Sequence, residues 1–248
     1  MHKKEHPWDL TKLDALIFDM DGVITKTASL HMKAWNKMFT EYLDQLNKKS
    51  DKAIKPYNGK QDYLKYLDGK PRYKGVESLL QSRDIDLPHG DPDDDPDKET
   101  VCGLGNRKNE IFLQLLEQEG VEVYPDAIQK IKHWRKYGLK MGVVSSSKNC
   151  AHVLRAAEIE HLFEIRVDGV VAQEKKLQGK PAPDIFIYAT KELQSEPSHT
   201  AIFEDAVSGV KAGKQGGFKF VVGVARHGAR DQLMKNGADI VIENFDEL

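Results

Sequence analysis

Asp14-Ala15-Leu16-Ile17-Phe18-Asp19-Met20-Asp21-Gly22-Val23 decides the reading of this chain. Four consecutive apolar residues, Ala15 to Phe18, stop abruptly at an acid. A short, unbroken apolar run is the pattern of a strand buried on both faces of a parallel sheet. In extended chain, residues i and i+2 point to the same side. Asp19 and Asp21 therefore project together from the carboxyl end of that strand, where open α/β sheets place their ligands. Two neighbouring carboxylates repel each other, so such a site calls for a cation or for shifted pKa values.

Working outward, similar strands are expected at Leu139 to Ser145, Thr200 to Phe203, Lys219 to Val224 and Ile240 to Ile242. Helical spacing separates them. Ile128, Ile131 and Trp134 share one face, as do Ile111 with Leu115 and Phe112 with Leu116. Val207 to Gln215 stops at Gly216-Gly217, a helix-ending pair. Strands alternating with helices over residues 120 to 248 predict an α/β fold, a doubly wound parallel sheet with helices on both faces. The stretch 28–119 is different, being polar and Lys-rich with no clean buried strand. It reads as a mainly α-helical domain inserted after the first strand. The expected division is 1–27 plus 120–248 for the α/β core and 28–119 for the helical domain. The acidic tract Gly90-Asp91-Pro92-Asp93-Asp94-Asp95-Pro96-Asp97 lacks the Gly and closing Glu of a calcium loop and is expected to be a solvated loop.

Three further strand ends carry polar groups: Ser145-Ser146-Ser147-Lys148-Asn149, Gly179-Lys180-Pro181, and Glu204-Asp205. If these strands are neighbours, one crevice holds Asp19, Asp21, Ser145, Lys180, Glu204 and Asp205. Four carboxylates around one ammonium make poor core. They suit a hard cation that also binds phosphate, and Mg²⁺ prefers such oxygen ligands. Lys180 and the Ser145 hydroxyl would orient phosphoryl oxygens.

Composition narrows the classes. Among 248 residues, 37 Lys plus Arg against 39 Asp plus Glu give a net charge of −2, which argues against a nucleic-acid partner. The two cysteines exclude a cysteine-rich zinc site and make a disulfide-stapled fold a poor reading. No apolar run approaches a bilayer span. Met1 to Trp8 has no apolar core behind its charges and is not read as a signal peptide. The expected location is the cytoplasm, without membrane partners. His133, His161, His199 and His227 show no metal spacing. Arg226 to Arg230 is expected to be a solvated loop.

The order Asp-x-Asp-Gly-Val, strand-end Ser, Lys-Pro and Glu-Asp resembles the haloacid-dehalogenase superfamily of phosphotransferases over nearly the whole chain. The resemblance implies a Rossmann-like core with an inserted helical cap domain. It implies Asp19 as nucleophile, Asp21 as general acid and base, and Mg²⁺ on Asp19, Glu204, Asp205 and the Asp21 carbonyl. A nearer resemblance is to the superfamily's sugar phosphomutases. It rests on Thr27, His31 and Trp35, on Gly69-Lys70-Pro71-Arg72, on Lys108-Asn109 and on Ser147-Lys148-Asn149. It implies that Thr27, His31, Gly69, Arg72, Lys108, Ser147, Lys148 and Asn149 bind substrate. Lys26, Lys70-Pro71 and Ala206 depart from that pattern, and the region from about Glu41 to Asp68, with the acidic tract, makes the cap longer. The function implied is interconversion of β-glucose 1-phosphate and glucose 6-phosphate by a monomer. A sugar-phosphate phosphatase with the same core, or a non-catalytic sugar-phosphate binder, are the alternatives.

Overall fold

The structure, a computed structural model, describes residues 9–49, 53–67, 70–226 and 228–248. Two compact units divide the chain. One takes the chain up to Lys26 and again from Val121 to Leu248, and the other takes Thr27 to Gly120.

Among the described residues, the first unit holds one parallel sheet of six strands. These are β1 (Ala15–Asp19), β2 (Lys140–Val144), β3 (Ile165–Val167), β4 (Thr200–Glu204), β5 (Phe220–Val224) and β6 (Ile240–Ile242). Their order is β3-β2-β1-β4-β5-β6. β1 is central, with Asp19 beside Val144 and Phe18 beside both Val143 and Phe203. The chain winds outward from β1 through β2 to β3, then returns to β4 on the other side. The reversal leaves a crevice at the carboxyl ends of β1 and β4, where parallel sheets bind ligands.

Every residue of β1 is buried, because both sheet faces are covered. Alternate residues serve opposite faces. Phe18 stacks on Phe203 with centroids 4.6 Å apart and meets Trp134 and Phe245. Ile17 joins Ile202, Phe186 and Val221 on the other face. Each fully buried side chain of this size contributes roughly 1.5–3 kcal/mol. Strand β3 was not expected from the sequence. It is a three-residue edge strand with Arg166 at its centre, so it offers no apolar run.

The second unit is helical: α1 (Ala28–Lys49), α2 (Gly59–Asp62), α3 (Arg72–Gln81) and α4 (Val101–Glu119), with a π-helical turn at Tyr63–Leu67. On α1, Leu30, Ala34, Trp35, Met38, Phe39, Tyr42 and Leu43 are buried, a stripe at helical spacing. It packs on Leu104, Ile111, Phe112 and Leu116 of α4. Thr100 starts α4 by accepting the Gly103 N–H at 2.9 Å, an N-cap. A buried Arg83–Asp62 ion pair ties the turn after α3 to α2, with Arg83 also donating to the Pro56 carbonyl at 3.2 Å.

The acidic tract is a largely exposed loop, as expected, with one exception. Asp94 is buried, accepting from Lys98, from the Thr100 hydroxyl at 2.7 Å and from the Asp91 N–H at 3.0 Å. Lys98 and Thr100 together hold its carboxyl down at about 2.

Six helices cover the sheet among the described residues: α5 (Pro125–Arg135), α6 (Cys150–Ala156), α7 (Gly169–Glu174), α8 (Asp184–Glu192), α9 (Val207–Gln215) and α10 (Arg230–Lys235). Arg226 corrects the expected solvated loop. Its side chain is buried, pairs with Asp126 at 2.7 Å and lies 4.0 Å from the Tyr124 ring centroid.

Candidate phosphoryl-transfer site

The turn after β1 is built by its glycine. Gly22 sits at φ +81° and donates to the Thr25 carbonyl at 2.9 Å, while Ile24 and Thr25 both donate to Met20. A Cβ on Gly22 would come within 2.0 Å of Asp205 Oδ2. Glycine therefore serves twice, in the turn conformation and in admitting the Asp205 carboxylate. On β4, Glu204 lies under the start of α9. Its Oε2 accepts the Ala206 N–H at 2.9 Å, and a Cβ on Gly209 would fall 1.9 Å from its carboxyl group.

Lys180 enters from the loop before α8, where Gln178 N–H donates to Asp184 at 3.1 Å and the Lys180–Pro181 peptide is cis. Its ammonium, 7% exposed, donates to both Asp19 Oδ1 and Glu204 Oε1. Ser145 is buried one residue beyond β2, its hydroxyl 3.5 Å from Asp21 Oδ2. The predicted core residues Asp19, Asp21, Ser145, Lys180, Glu204 and Asp205 thus meet at one end of the sheet. Ser147, Lys148 and Asn149 follow on the same loop. Ser147 Oγ accepts the Asn149 N–H at 3.1 Å, and Lys148 donates to Gln173 at 2.6 Å. Asn149 occupies the N-cap position of α6 without a side-chain capping bond.

Charge is out of balance here. Burial, opposed by Lys180 and reinforced by Asp19, lifts the Glu204 carboxyl to about 7. Burial, then Glu204 and Asp19, push Asp205 well above the carboxylate range. Four acids share one ammonium. Among the described residues no three His, Cys, Asp or Glu side chains are drawn together as a metal cage; Lys180 is the counterion of the arrangement. The donor set is nonetheless all hard oxygen with surplus negative charge, so these residues fit a small divalent cation.

The helical unit gathers cations instead. Buried Lys108 donates to His31 Nδ1 at 2.8 Å and lies 5.0 Å from the Trp35 ring and 4.9 Å from Phe112. His31 stacks on Phe112 with centroids 4.2 Å apart. Burial, then the charges of Lys108 and Arg72, hold the His31 imidazole well below its ordinary value. Thr27 is buried and its carbonyl accepts the His31 N–H at 3.0 Å. Arg72 donates to Asn109 at 2.8 Å. Gly69 and His227 lie outside the described residues. The sequence reading overlooked Phe112 as a platform for His31 and Gly209 as the space for Glu204. The spacing Glu204 to Gly209 was the available signal for the second.

The chain belongs to the haloacid dehalogenase-like hydrolase family, whose description matches residues 13–217. It is 44% identical over 240 residues to β-phosphoglucomutase of Mycobacterium bovis, covering 96% of this chain and 92% of that one. It is 26% identical over 238 residues to a phosphorylated carbohydrates phosphatase of Thermotoga maritima, covering 93% and 94%. The crystal structure of β-phosphoglucomutase from Clostridium difficile superposes with a TM-score of 0.70 at 24% identity, over 95% of this chain and 93% of that one.

Proposed function

We propose that this chain is a Mg²⁺-dependent sugar phosphomutase that interconverts β-glucose 1-phosphate and glucose 6-phosphate. The reading is carried by the 44% identity to a β-phosphoglucomutase across almost the full length of both chains. The acids and lysine at the ends of β1 and β4 support the chemistry. An Asp19 carboxylate oxygen attacks phosphorus as the bond to the sugar oxygen breaks. The leaving oxygen takes its proton from Asp21, and Asp19 holds the phosphoryl group as an acyl phosphate. In the second half-reaction Asp21 removes a proton from the other sugar hydroxyl, which attacks phosphorus and frees Asp19. Lys180 and Ser145 orient the phosphoryl oxygens and offset their charge. Mg²⁺ bound by Asp19, Glu204, Asp205 and the Asp21 carbonyl would neutralise the transferring group.

Ser147, Lys148 and Asn149 in the α/β unit, and Thr27, His31, Arg72 and Lys108 in the helical unit, would recognise the substrate. Gly69 is proposed with them on the sequence alone. Residues 28–119 would set specificity as the cap domain. We place the protein in the cytoplasm; among the described residues no helix is long and apolar enough to cross a membrane.

The test incubates full-length protein with Mg²⁺, β-glucose 1-phosphate and a trace of glucose 1,6-bisphosphate. Glucose 6-phosphate without free phosphate is expected. Free phosphate as the main product would replace the mutase with a phosphatase, the reading favoured by the Thermotoga maritima relative. Asp19→Asn should abolish both products while the protein stays folded.

A further inference from the structure

The acidic tract has no part in the chemistry above, yet its backbone reaches Arg72 through one side chain. Residues 88–100 are sewn onto the start of α4. Val101 and Cys102 donate to the Pro88 and His89 carbonyls, and Arg107 Nε donates to the Pro96 carbonyl at 2.9 Å. Gly103 lets the Lys98 carbonyl approach so closely that a Cβ would sit 2.2 Å from it. Asn106, one turn further along α4, donates from Nδ2 to two carbonyls of the tract, Pro92 and Asp94, both at 2.9 Å. Its Oδ1 accepts from the Tyr73 hydroxyl at 3.1 Å, with Arg72 Nη1 at 3.5 Å. Tyr73 also touches the Pro92 carbonyl at 3.3 Å. Gly105 leaves room for this packing, since a Cβ there would fall 2.7 Å from the Tyr73 ring and 3.2 Å from Arg72 Cδ.

The consequence lies in the charge of Arg72. Its hydrogen-bond partners among the described residues include the amides of Asn109 and Asn106 and the phenol of Tyr73, all neutral groups. Amide oxygens fix the direction of a guanidinium without cancelling its charge, whereas a carboxylate would do both. A half-buried guanidinium held by neutral acceptors is therefore ready for an anion.

We propose that Asn106 is a positioning residue for Arg72 and that the tract at 88–100 is the buttress that fixes Asn106, so that Arg72 is aimed at an anionic group of the sugar phosphate. This rests on the sugar-phosphate reading above. Asn106 acts through Arg72 and touches no reacting atom. The tract contributes its Pro92 and Asp94 carbonyls and the buried Asp94 anchor. Its exposed acids are incidental.

The test uses the full chain with Asn106→Ala, Asp94→Ala, the double variant, and Asp93→Asn as control, each first checked for a cooperative thermal melt. Initial rates with Mg²⁺, glucose 1,6-bisphosphate and varied β-glucose 1-phosphate should show KM raised about tenfold in Asn106→Ala, the scale of one lost hydrogen bond to a charged group. kcat should stay within about twofold, because an interaction shared by bound and transition states was lost. Asp94→Ala should raise KM in the same direction, and the double variant should be less than additive, since both act through one contact. Asp93→Asn should leave KM unchanged. An unchanged KM in Asn106→Ala, a loss confined to kcat, or strict additivity would overturn the proposal. If the wild type turns over no β-glucose 1-phosphate, the mutase reading fails. Calorimetric binding of glucose 6-phosphate then decides the inference. Weaker binding by about tenfold in Asn106→Ala upholds it, and equal binding or none in the wild type overturns it.

Discussion

Replacing Lys180 with methionine keeps most of the aliphatic stem and deletes the charge. The ammonium is 7% exposed and pairs with Asp19 at 10% and Glu204 at 1%. Removing one partner of a buried ion pair usually costs about 3–5 kcal/mol, because the remaining charge is stranded. Two carboxylates are stranded here, but one has an escape. Glu204 already has its carboxyl at about 7 with Lys180 present, so without Lys180 it takes up a proton at neutral pH. The expected loss at pH 7.5 in EDTA is therefore about 3 kcal/mol, the lower end of that range. The pH dependence fixes the cause. A carboxyl whose folded pKa is raised loses stability as pH climbs from its unfolded value to its folded one. The wild-type Glu204 titrates around pH 7 and is nearly fully ionised toward pH 9, whereas that of the variant, without Lys180, still titrates over that range. The gap should thus widen by up to about 1.4 kcal/mol per pH unit toward pH 9. Urea denaturation at pH 7.5 and 9 measures both. Lys180→Met with Glu204→Gln should recover most of the stability and none of the activity, since phosphoryl transfer should still fall about 10²- to 10³-fold. A single variant that unfolds at the wild-type urea concentration at both pH values would refute the reasoning.

Three further outcomes follow from the same geometry. His31 is held neutral by burial and by the charges of Lys108 and Arg72, so stability should fall as pH drops below about 6.5, by at most about 1.4 kcal/mol per unit. His31→Gln should flatten that part of the wild-type curve in denaturant melts, and an unaltered slope would assign it to other groups. Gly209→Ala pits helix propensity, worth about 1 kcal/mol in favour of alanine, against a methyl carbon 1.9 Å from the Glu204 carboxyl group. Overpacking at about 1–3 kcal/mol should prevail and lower the melting temperature; a gain would mean that Glu204 moves aside freely. Mg²⁺ at about a hundred times its Kd should stabilise the wild type by about 2.7 kcal/mol, and Asp205→Asn should remove most of that shift in calorimetric scans.

The sheet was legible because β1, β2, β4, β5 and β6 each carry a compact apolar run that ends in turn or polar residues. β3 was not, since Ile165–Val167 holds an arginine at an edge where half the pairing surface faces away from the sheet. The acids at the strand ends could be read because parallel pairing puts all carboxyl ends together, so Asp19 and Glu204 follow from their strands alone. Features that depend on partners distant in sequence were hidden. Arg226 looked like one more loop cation until Asp126, a hundred residues earlier, stood 2.7 Å away. The acidic tract is as exposed as its composition suggests, but the burial of Asp94 between Lys98 and Thr100 could not be read from it. His31 could be placed on a helix face, but the ring that stacks on it, Phe112, lies on another helix.

The central position of β1 has a consequence for biosynthesis. Ala15–Phe18 is synthesised well before one of its two neighbours, which begins only at Thr200. At about 5–20 residues per second, that edge stays open for roughly 10–40 s of translation. For that interval a four-residue apolar run, Ala15–Phe18, keeps one row of backbone donors and acceptors without the strand that will pair with it.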